Sequence, residues 1–146
     1  MYSFKKISLK ESKECHEIDS ITIGLWSFKQ WEKELEKEYV YAFAYFKNRK
    51  IIGLCVFQKI FCNAEITYFS IHPTFQRKGF GKKLFRETFK QFKEFEIEKI
   101  TLEVSEKNFA AINFYQFFGF KTIGVRKNYY KDGSNALLQE KELLKK

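Results

Sequence analysis

Residues 64–83 read Ala64-Glu65-Ile66-Thr67-Tyr68-Phe69-Ser70-Ile71-His72-Pro73-Thr74-Phe75-Gln76-Arg77-Lys78-Gly79-Phe80-Gly81-Lys82-Lys83, and the pattern changes halfway along. Ala64–His72 is rich in β-branched and aromatic residues and reads as a strand. Pro73, the only proline in the chain, stops that strand and keeps His72 extended. After the loop Thr74–Lys78 a helix is expected from Gly79 to about Glu94. Leu84, Phe85, Thr88, Phe92 and Phe95 recur in it at three- and four-residue steps and give one buried stripe. Ile100–Val104 is again a strand. Strand, helix and strand in this order make a βαβ unit, which predicts that the two strands are parallel.

Outward from this unit the elements continue. Tyr2–Ile7 is a short strand, followed by helical segments at Lys10–Thr22 and Ser27–Glu38, the second with Ser27 as its N-cap. Val40–Phe46 and Ile51–Gln58 form a hairpin around the turn Lys47-Asn48-Arg49-Lys50. Asn108 caps a short helix that ends at Gly119. Strands at Lys121–Tyr130 and Ala136–Leu143 close the chain, separated by Lys131-Asp132-Gly133-Ser134. There is no internal repeat, low-complexity stretch or linker, so one α/β domain with a mixed sheet is expected over residues 1–146.

A chain of 146 residues can bury a sizeable core without metal or disulfide support. Its 18 phenylalanines are spread through the sequence, where they take the packing role of Leu and Val. Twenty-seven Lys and Arg against 18 Asp and Glu give a formal charge of +9, which favours anionic partners. Cys15, Cys55 and Cys62 form no C-x-x-C, and with His16 and His72 alone no zinc spacing arises, so no metal site is expected. Met1–Ser8 carries no signal-like block, and no apolar run approaches the roughly 20 residues that cross a bilayer. A cytoplasmic protein with no membrane contact is the expectation.

The loop between strand and helix carries chemistry. A helix start offers unpaired N–H groups and a partial positive charge, which suit a phosphate. Gly79 and Gly81 remove side chains where main chain would wrap an anion, and Arg77, Lys78, Lys82 and Lys83 raise the local potential. A P-loop would need G-x-x-x-x-G-K-[ST]; a dinucleotide loop would need a third glycine where Leu84 stands. From the loop alone, pyrophosphate binding and a glycine-containing helix start with surface lysines are equal readings.

Phe69-Ser70-Ile71-His72-Pro73 followed by Gln76-x-x-Gly79-x-Gly81 resembles the acetyl-CoA motif of the GNAT superfamily of N-acyltransferases. The resemblance implies the GNAT fold, a mixed central sheet of about seven strands flanked by four helices. It implies acetyl-CoA as co-substrate, with Phe69, Ser70 and Ile71 meeting the pantetheine arm. The phosphates would fall to Arg77, Lys78, Gly79, Phe80, Gly81 and Lys82.

Acetyl transfer to an amine needs a neutral nucleophile and a protonated leaving thiol. At pH 7 an α-amine is roughly 10% neutral and a lysine under about 0.1%, so protein amino termini are the easier acceptors. In Leu102-Glu103-Val104, strand alternation sets Glu103 opposite two apolar neighbours. A carboxylate there is either a base or a strand-end group paired with a nearby lysine. Residues 108–120, Asn108-Phe109-Ala110-Ala111-Ile112-Asn113-Phe114-Tyr115-Gln116-Phe117-Phe118-Gly119-Phe120, resemble the family segment N-x-x-A-x-x-x-Y-x-x-x-G-F. Ala111 and Tyr115 share a helix face.

With Leu25-Trp26-Ser27 and Arg126-Lys127-Asn128-Tyr129-Tyr130, these segments are most similar to the RimI branch of the superfamily, which acetylates a ribosomal protein amino terminus. That likeness implies Glu103 as base through water, Tyr115 as acid and Asn108 against the cofactor. The implied acceptor is the N-terminal alanine of a small-subunit ribosomal protein, with a monomeric enzyme and no direct nucleic-acid contact. Three positions depart from the branch. Leu25 replaces a frequent proline, His72 a frequent aspartate, and Asn135 a common acidic residue whose charge would face the acceptor. Trp26, Tyr129 and Tyr130 suit an acceptor groove and suit a core equally. Acetylation of a small amine, such as a polyamine or amino acid, is the alternative, and a basic RNA-binding module is a more distant one.

Overall fold

The computed structural model of the chain describes residues 1–143; residues 144–146, the end of the span read above as one domain, lie outside the described residues. Among the described residues there are seven strands. They are β1 (Tyr2–Ile7), β2 (Val40–Lys47), β3 (Lys50–Ile60), β4 (Asn63–Ile71), β5 (Lys99–Ser105), β6 (Lys121–Arg126) and β7 (Ala136–Glu142). They form one sheet in the order β1-β2-β3-β4-β5-β7-β6. Only the β4–β5 pair is parallel, as the βαβ reading requires. Four α-helices flank the sheet: α1 (Ser12–Ser20), α2 (Phe28–Glu36), α3 (Phe80–Glu94) and α4 (Phe109–Phe117).

Strand alternation divides the core between the two faces. Ile7, Ala42, Ala44, Leu54, Val56 and Tyr68 pack with Cys15 and Ile18 of α1 and Trp31 of α2. On the other face Phe43, Cys55, Phe57, Ile66, Leu102 and Val104 meet Leu84, Phe85 and Phe92 of α3 and Tyr115 of α4. Phe85 is the hub of this second layer, with ring centroids of Phe69, Phe89, Phe114, Tyr115, Phe118 and Phe120 at 4.8–6.0 Å. Cys15 and Cys55 are buried and Cys62 is half-buried.

Three expected boundaries shift. The first helix begins as a 3-10 turn at Leu9–Glu11 and stops at Ser20, because the chain turns at Ile21 to form a hydrogen-bonded loop. The second helix stops at Glu36, with Lys37 extended. The sixth strand ends at Arg126 rather than Tyr130. Asn128 has φ +52°, and the N–H groups of Tyr129 and Tyr130 both turn to the Ser134 carbonyl.

β4 carries a bulge. Val56 of β3 faces Tyr68 while Phe57 faces Ile66, which leaves Thr67 as an extra residue. The bulge reverses the phase of the strand. Ile66 faces the α3 side before it, Tyr68 faces the α1–α2 side after it, and Phe69 and Ile71 return to the α3 side.

Phe85→Ala removes a fully buried hub and is expected to cost about 4 kcal/mol of stability, read from the urea midpoint at unchanged slope.

Candidate active site

β4 and β5 pair only from Asn63–Lys99 to Ile66–Leu102. Beyond Ile66 and Leu102 they separate, each still held on its outer side. β3 pairs with β4 as far as Ile71, and β7 with β5 as far as Ser105. The gap is a cleft of about 510 Å³ whose walls include Phe69, Glu103, Asn108, Ala111 and Tyr115. Main-chain groups on the facing edges of 67–71 and 103–105 have no partner on the opposite strand, and residues 67–69 and 103–105 line the cleft. Two carbonyls find other partners: that of Ile71 accepts from the Gln76 side-chain amide at 2.9 Å and that of Ser105 from the Asn108 N–H at 3.0 Å.

Four of the sequence-assigned residues thus meet in one cleft: Phe69, Glu103, Asn108 and Tyr115. Ser70 and Ile71 do not line it with their side chains. The Ser70 hydroxyl donates to the Tyr68 hydroxyl on the α1–α2 face, so Ser70 can offer only main chain. The 77–82 loop lies outside the cleft walls, where β4 gives way to α3. Gly79 takes the N-cap position of α3 with φ +85°, a conformation that favours glycine. No side chain caps the helix, so the N–H groups of Phe80, Gly81 and Lys82 keep their first-turn valence free for an anion. Phe80 is itself buried against Tyr2, Tyr45 and Phe75, and Lys82 lies 3.9 Å over the Phe117 ring. Those side chains therefore anchor the helix start, and what it can offer an anion is main chain.

Glu103 faces the cleft from β5, with one oxygen, Oε2, sealed from solvent and 2.5 Å from Arg126 Nε. No aligned N–H reaches that oxygen, so the contact is one of charge and proximity. The partner expected for a strand-end carboxylate was a lysine; it is an arginine two strands away. Tyr115 comes from α4 on the opposite face. Its ring is buried among phenylalanines, its hydroxyl has no hydrogen-bond partner among the described residues, and burial pushes its pKa well above the usual tyrosine range. Asn108 accepts from the Ala111 N–H at 3.1 Å, capping α4 as its type and position predict.

Comparison with known proteins places this arrangement. The profile of the Acetyltransferase (GNAT) family matches residues 4–120. The chain belongs to that family. Over 111 residues it is 34% identical to the [Ribosomal protein bS18]-alanine N-acetyltransferase of Haemophilus influenzae, a match that covers 76% of this chain and 75% of that one. Its fold superposes on the crystal structure of the ribosomal-protein-S18-alanine N-acetyltransferase from Escherichia coli with a TM-score of 0.93. That alignment has 23% identity and covers 100% of this chain and 96% of that one. A paia N-acetyltransferase from Thermoplasma acidophilum, solved with coenzyme A, shares the fold at TM-score 0.76 and 19% identity, covering 98% and 99%. The chain is an acetyl-CoA-dependent N-acetyltransferase with the mixed seven-stranded sheet and four helices of the GNAT fold. Among the described residues no group of His, Cys, Asp and Glu side chains could hold a metal ion, and no helix is long and apolar enough to cross a membrane.

Two loops of this GNAT chain wall the mouth of the cleft, and sequence reading missed what holds them. The loop between α1 and α2, which contributes Ile23, Leu25 and Trp26, is tied to Asp19. That fully buried carboxylate accepts from the Leu25 N–H at 3.0 Å, the Trp26 N–H at 2.9 Å and the Trp31 indole N–H at 3.0 Å. A signal was present: an aspartate in the last turn of a helix opposes the dipole and needs another reason to be there. Leu25 replaces a frequent proline with a residue whose N–H is used. On the other side Tyr129 and Tyr130 belong to a loop pinned by Asn135, which donates its N–H and side-chain amide to Glu106 and accepts from the Asn128 N–H. An acid at 135 would face the Glu106 carboxylate, so the missing charge serves the loop rather than the acceptor. His72 Nδ1 accepts from the Thr74 N–H at 3.1 Å, the capping role an aspartate would also fill, and burial together with Lys50 lowers its pKa.

Asp19→Ala leaves the buried Trp31 indole N–H and two half-buried main-chain N–H groups without an acceptor and is expected to lower stability by about 3 kcal/mol. It should raise the acceptor KM while leaving coenzyme A affinity unchanged, as steady-state kinetics and calorimetry on the same sample will show.

Proposed function

We propose that the enzyme acetylates the amino terminus of a protein, with the N-terminal alanine of a small-subunit ribosomal protein as its acceptor. The observation that carries this reading is the meeting of Glu103 and Tyr115 in one cleft at the point where β4 and β5 part. Phe69, Ser70 and Ile71 would hold the pantetheine arm of acetyl-CoA, Ser70 through main chain alone. Arg77, Lys78, Gly79, Phe80, Gly81 and Lys82 would take the phosphates, chiefly through the uncapped first turn of α3. Asn108, at the start of α4, would flank the bound thioester. When bound, acetyl-CoA supplies the acetyl group and a thiol leaving group. Glu103 removes a proton from the acceptor amine, directly or through water, and Tyr115 gives one to the departing sulfur.

Support for a protein acceptor comes from two directions. Relatives named as alanine N-acetyltransferases of ribosomal protein bS18 match most of the chain. The cleft mouth is also flanked by Trp26, Tyr129 and Tyr130, amphipathic rings suited to a peptide. A small cationic amine is the second reading, favoured by Glu65, a further carboxylate on the cleft wall. The acidic residues of α2, Glu32, Glu34 and Glu36, are not part of the wall.

A peptide copying an alanine-first ribosomal amino terminus, mixed with acetyl-CoA and enzyme, should release free thiol faster than polyamines or free amino acids do. Glu103→Gln and Tyr115→Phe should each lower kcat by about 100-fold or more. Wild-type rates in both variants would sink the assignment. Because burial raises the Tyr115 pKa, its proton is retained as pH rises past the ordinary tyrosine range. The kcat profile should therefore show no alkaline fall below about pH 10.

A further inference from the structure

Arg126 ends β6, two strands from β5, yet its Nε lies 2.5 Å from Glu103 Oε2. The register explains the reach. Arg126 opposes Ala136 on β7, and Ala136 opposes Ser105 on β5, so the long side chain crosses diagonally past a methyl-sized neighbour to Glu103. Its Cζ also lies 5.8 Å from the centre of the Tyr129 ring, on the loop that walls the cleft. The two oxygens of Glu103 are left unlike. Oε2 is covered and faces the guanidinium, while Oε1 has no protein partner among the described residues and remains open to solvent. Burial, and after it the charge of the same carboxylate, raises the pKa of the Tyr130 hydroxyl, and Glu65 is the other carboxylate on the wall. Arg126 is therefore the one cation paired with Glu103 among the described residues.

We propose that Arg126 is a positioning residue for the transfer reaction, a role that rests on the reading of Glu103 as base. By holding Oε2 it fixes the carboxylate with Oε1 toward the acceptor. By pairing with the carboxylate it also keeps an ammonium-form acceptor from being trapped there as an ion pair. The amine that reacts is the neutral one, so a cation already seated on Glu103 removes a competing, unreactive complex. The side chain is 61% exposed, free to yield as the acceptor enters, and its hold on Glu103 is a contact of charge rather than a rigid aligned hydrogen bond.

The test compares Arg126→Ala, Arg126→Lys and Glu103→Gln, singly and as the Arg126→Ala/Glu103→Gln double variant, with an alanine-first peptide as acceptor. Arg126→Ala should lower kcat by about 10- to 100-fold, with the acceptor KM unchanged or lower and coenzyme A affinity intact. Arg126→Lys should recover part of the loss. Guanidinium chloride at non-denaturing concentration should restore Arg126→Ala but not Glu103→Gln, a rescue that a purely structural defect would not show. In the Glu103→Gln background the loss of Arg126 should add nothing. A raised KM at unchanged kcat would make Arg126 a plain acceptor contact and overturn the proposal, as would an equal loss in both backgrounds. Full turnover by Glu103→Gln overturns the base assignment and this role together, whereas a crippled Glu103→Gln beside a fully active Arg126→Ala overturns this role alone.

Discussion

Strand pairing between β4 and β5 stops after Ile66 and Leu102, and the rest of the site follows from that interruption. A parallel pair that continued to Ile71 and Ser105 would fill its main-chain valences and leave no cleft. The extra residue Thr67 marks the break: the bulge increases local twist and swings the second half of β4 off the line of β5. Unpaired main-chain groups are costly only when they are also dry, and these open into a space of about 510 Å³. Each strand stays ordered because its other neighbour holds it to the end, β3 through Ile71 and β7 through Ser105. The sheet is thus split along one seam without losing either half. The same bulge sends Tyr68 toward α1–α2 and Phe69 toward α3–α4, so both helical layers reach the seam.

Across that seam the two rim loops are tied by carboxylates as well as by packing. Apolar contacts hold a loop near a surface but leave its main chain free to slide; a carboxylate accepting several N–H groups sets direction as well as distance. Asp19 does this for Leu25, Trp26 and Trp31, with Tyr68, Thr22 and Ser70 forming a hydroxyl chain beside it. Glu106 does it for Asn135, and Asp132 for Ser134. The Ser134 hydroxyl and amide, aided by Lys107, hold the Asp132 carboxyl below its usual pKa, so this turn is firm at neutral pH and loosens as pH falls through the lowered value. Aromatic rims on tethered loops let the mouth keep its shape while it presents large rings.

Much of this was legible in the residue order. The strand-to-helix change at Pro73–Gly79 led to the parallel pair, and alternation around Glu103 separated it from Leu102 and Val104. The spacing of Asn108, Ala111 and Tyr115 placed all three on one wall. Those signals are local, carried by residues within two turns or one strand. What escaped depends on residues far apart in the chain. The bulge at Thr67 is set by β3, and Ala64–Ile71 alone looks like regular alternation with aromatics on either side. Arg126 meets Glu103 only because β7 inserts between β5 and β6. The end of β6 was misplaced because Tyr129 and Tyr130 suit a strand while Asn128 before them bends the chain through a left-handed conformation. Leu25 and Asn135 looked like losses against the family pattern, and each proves to use a donor that the usual residue lacks.

The abundance of phenylalanine has a consequence beyond packing. Leu or Val could fill the space between α3, α4 and the sheet, but the layer around Phe85 also encloses Tyr115, whose ring touches Phe85, Phe114 and Phe120. Ring carbons offer no strong acceptor to the hydroxyl and exclude water from the ring, so the neutral phenol is favoured over the phenolate. Glu103, one strand wall away, has a guanidinium for company instead. The phenol is thus surrounded by hydrocarbon and the carboxylate stands beside a cation, unlike surroundings that suit the two different roles proposed for them. The aromatic layer therefore helps set the chemistry of the cleft as well as its shape. Substitutions within it that keep volume but admit water to Tyr115 would weaken the proposed acid before they weakened the fold.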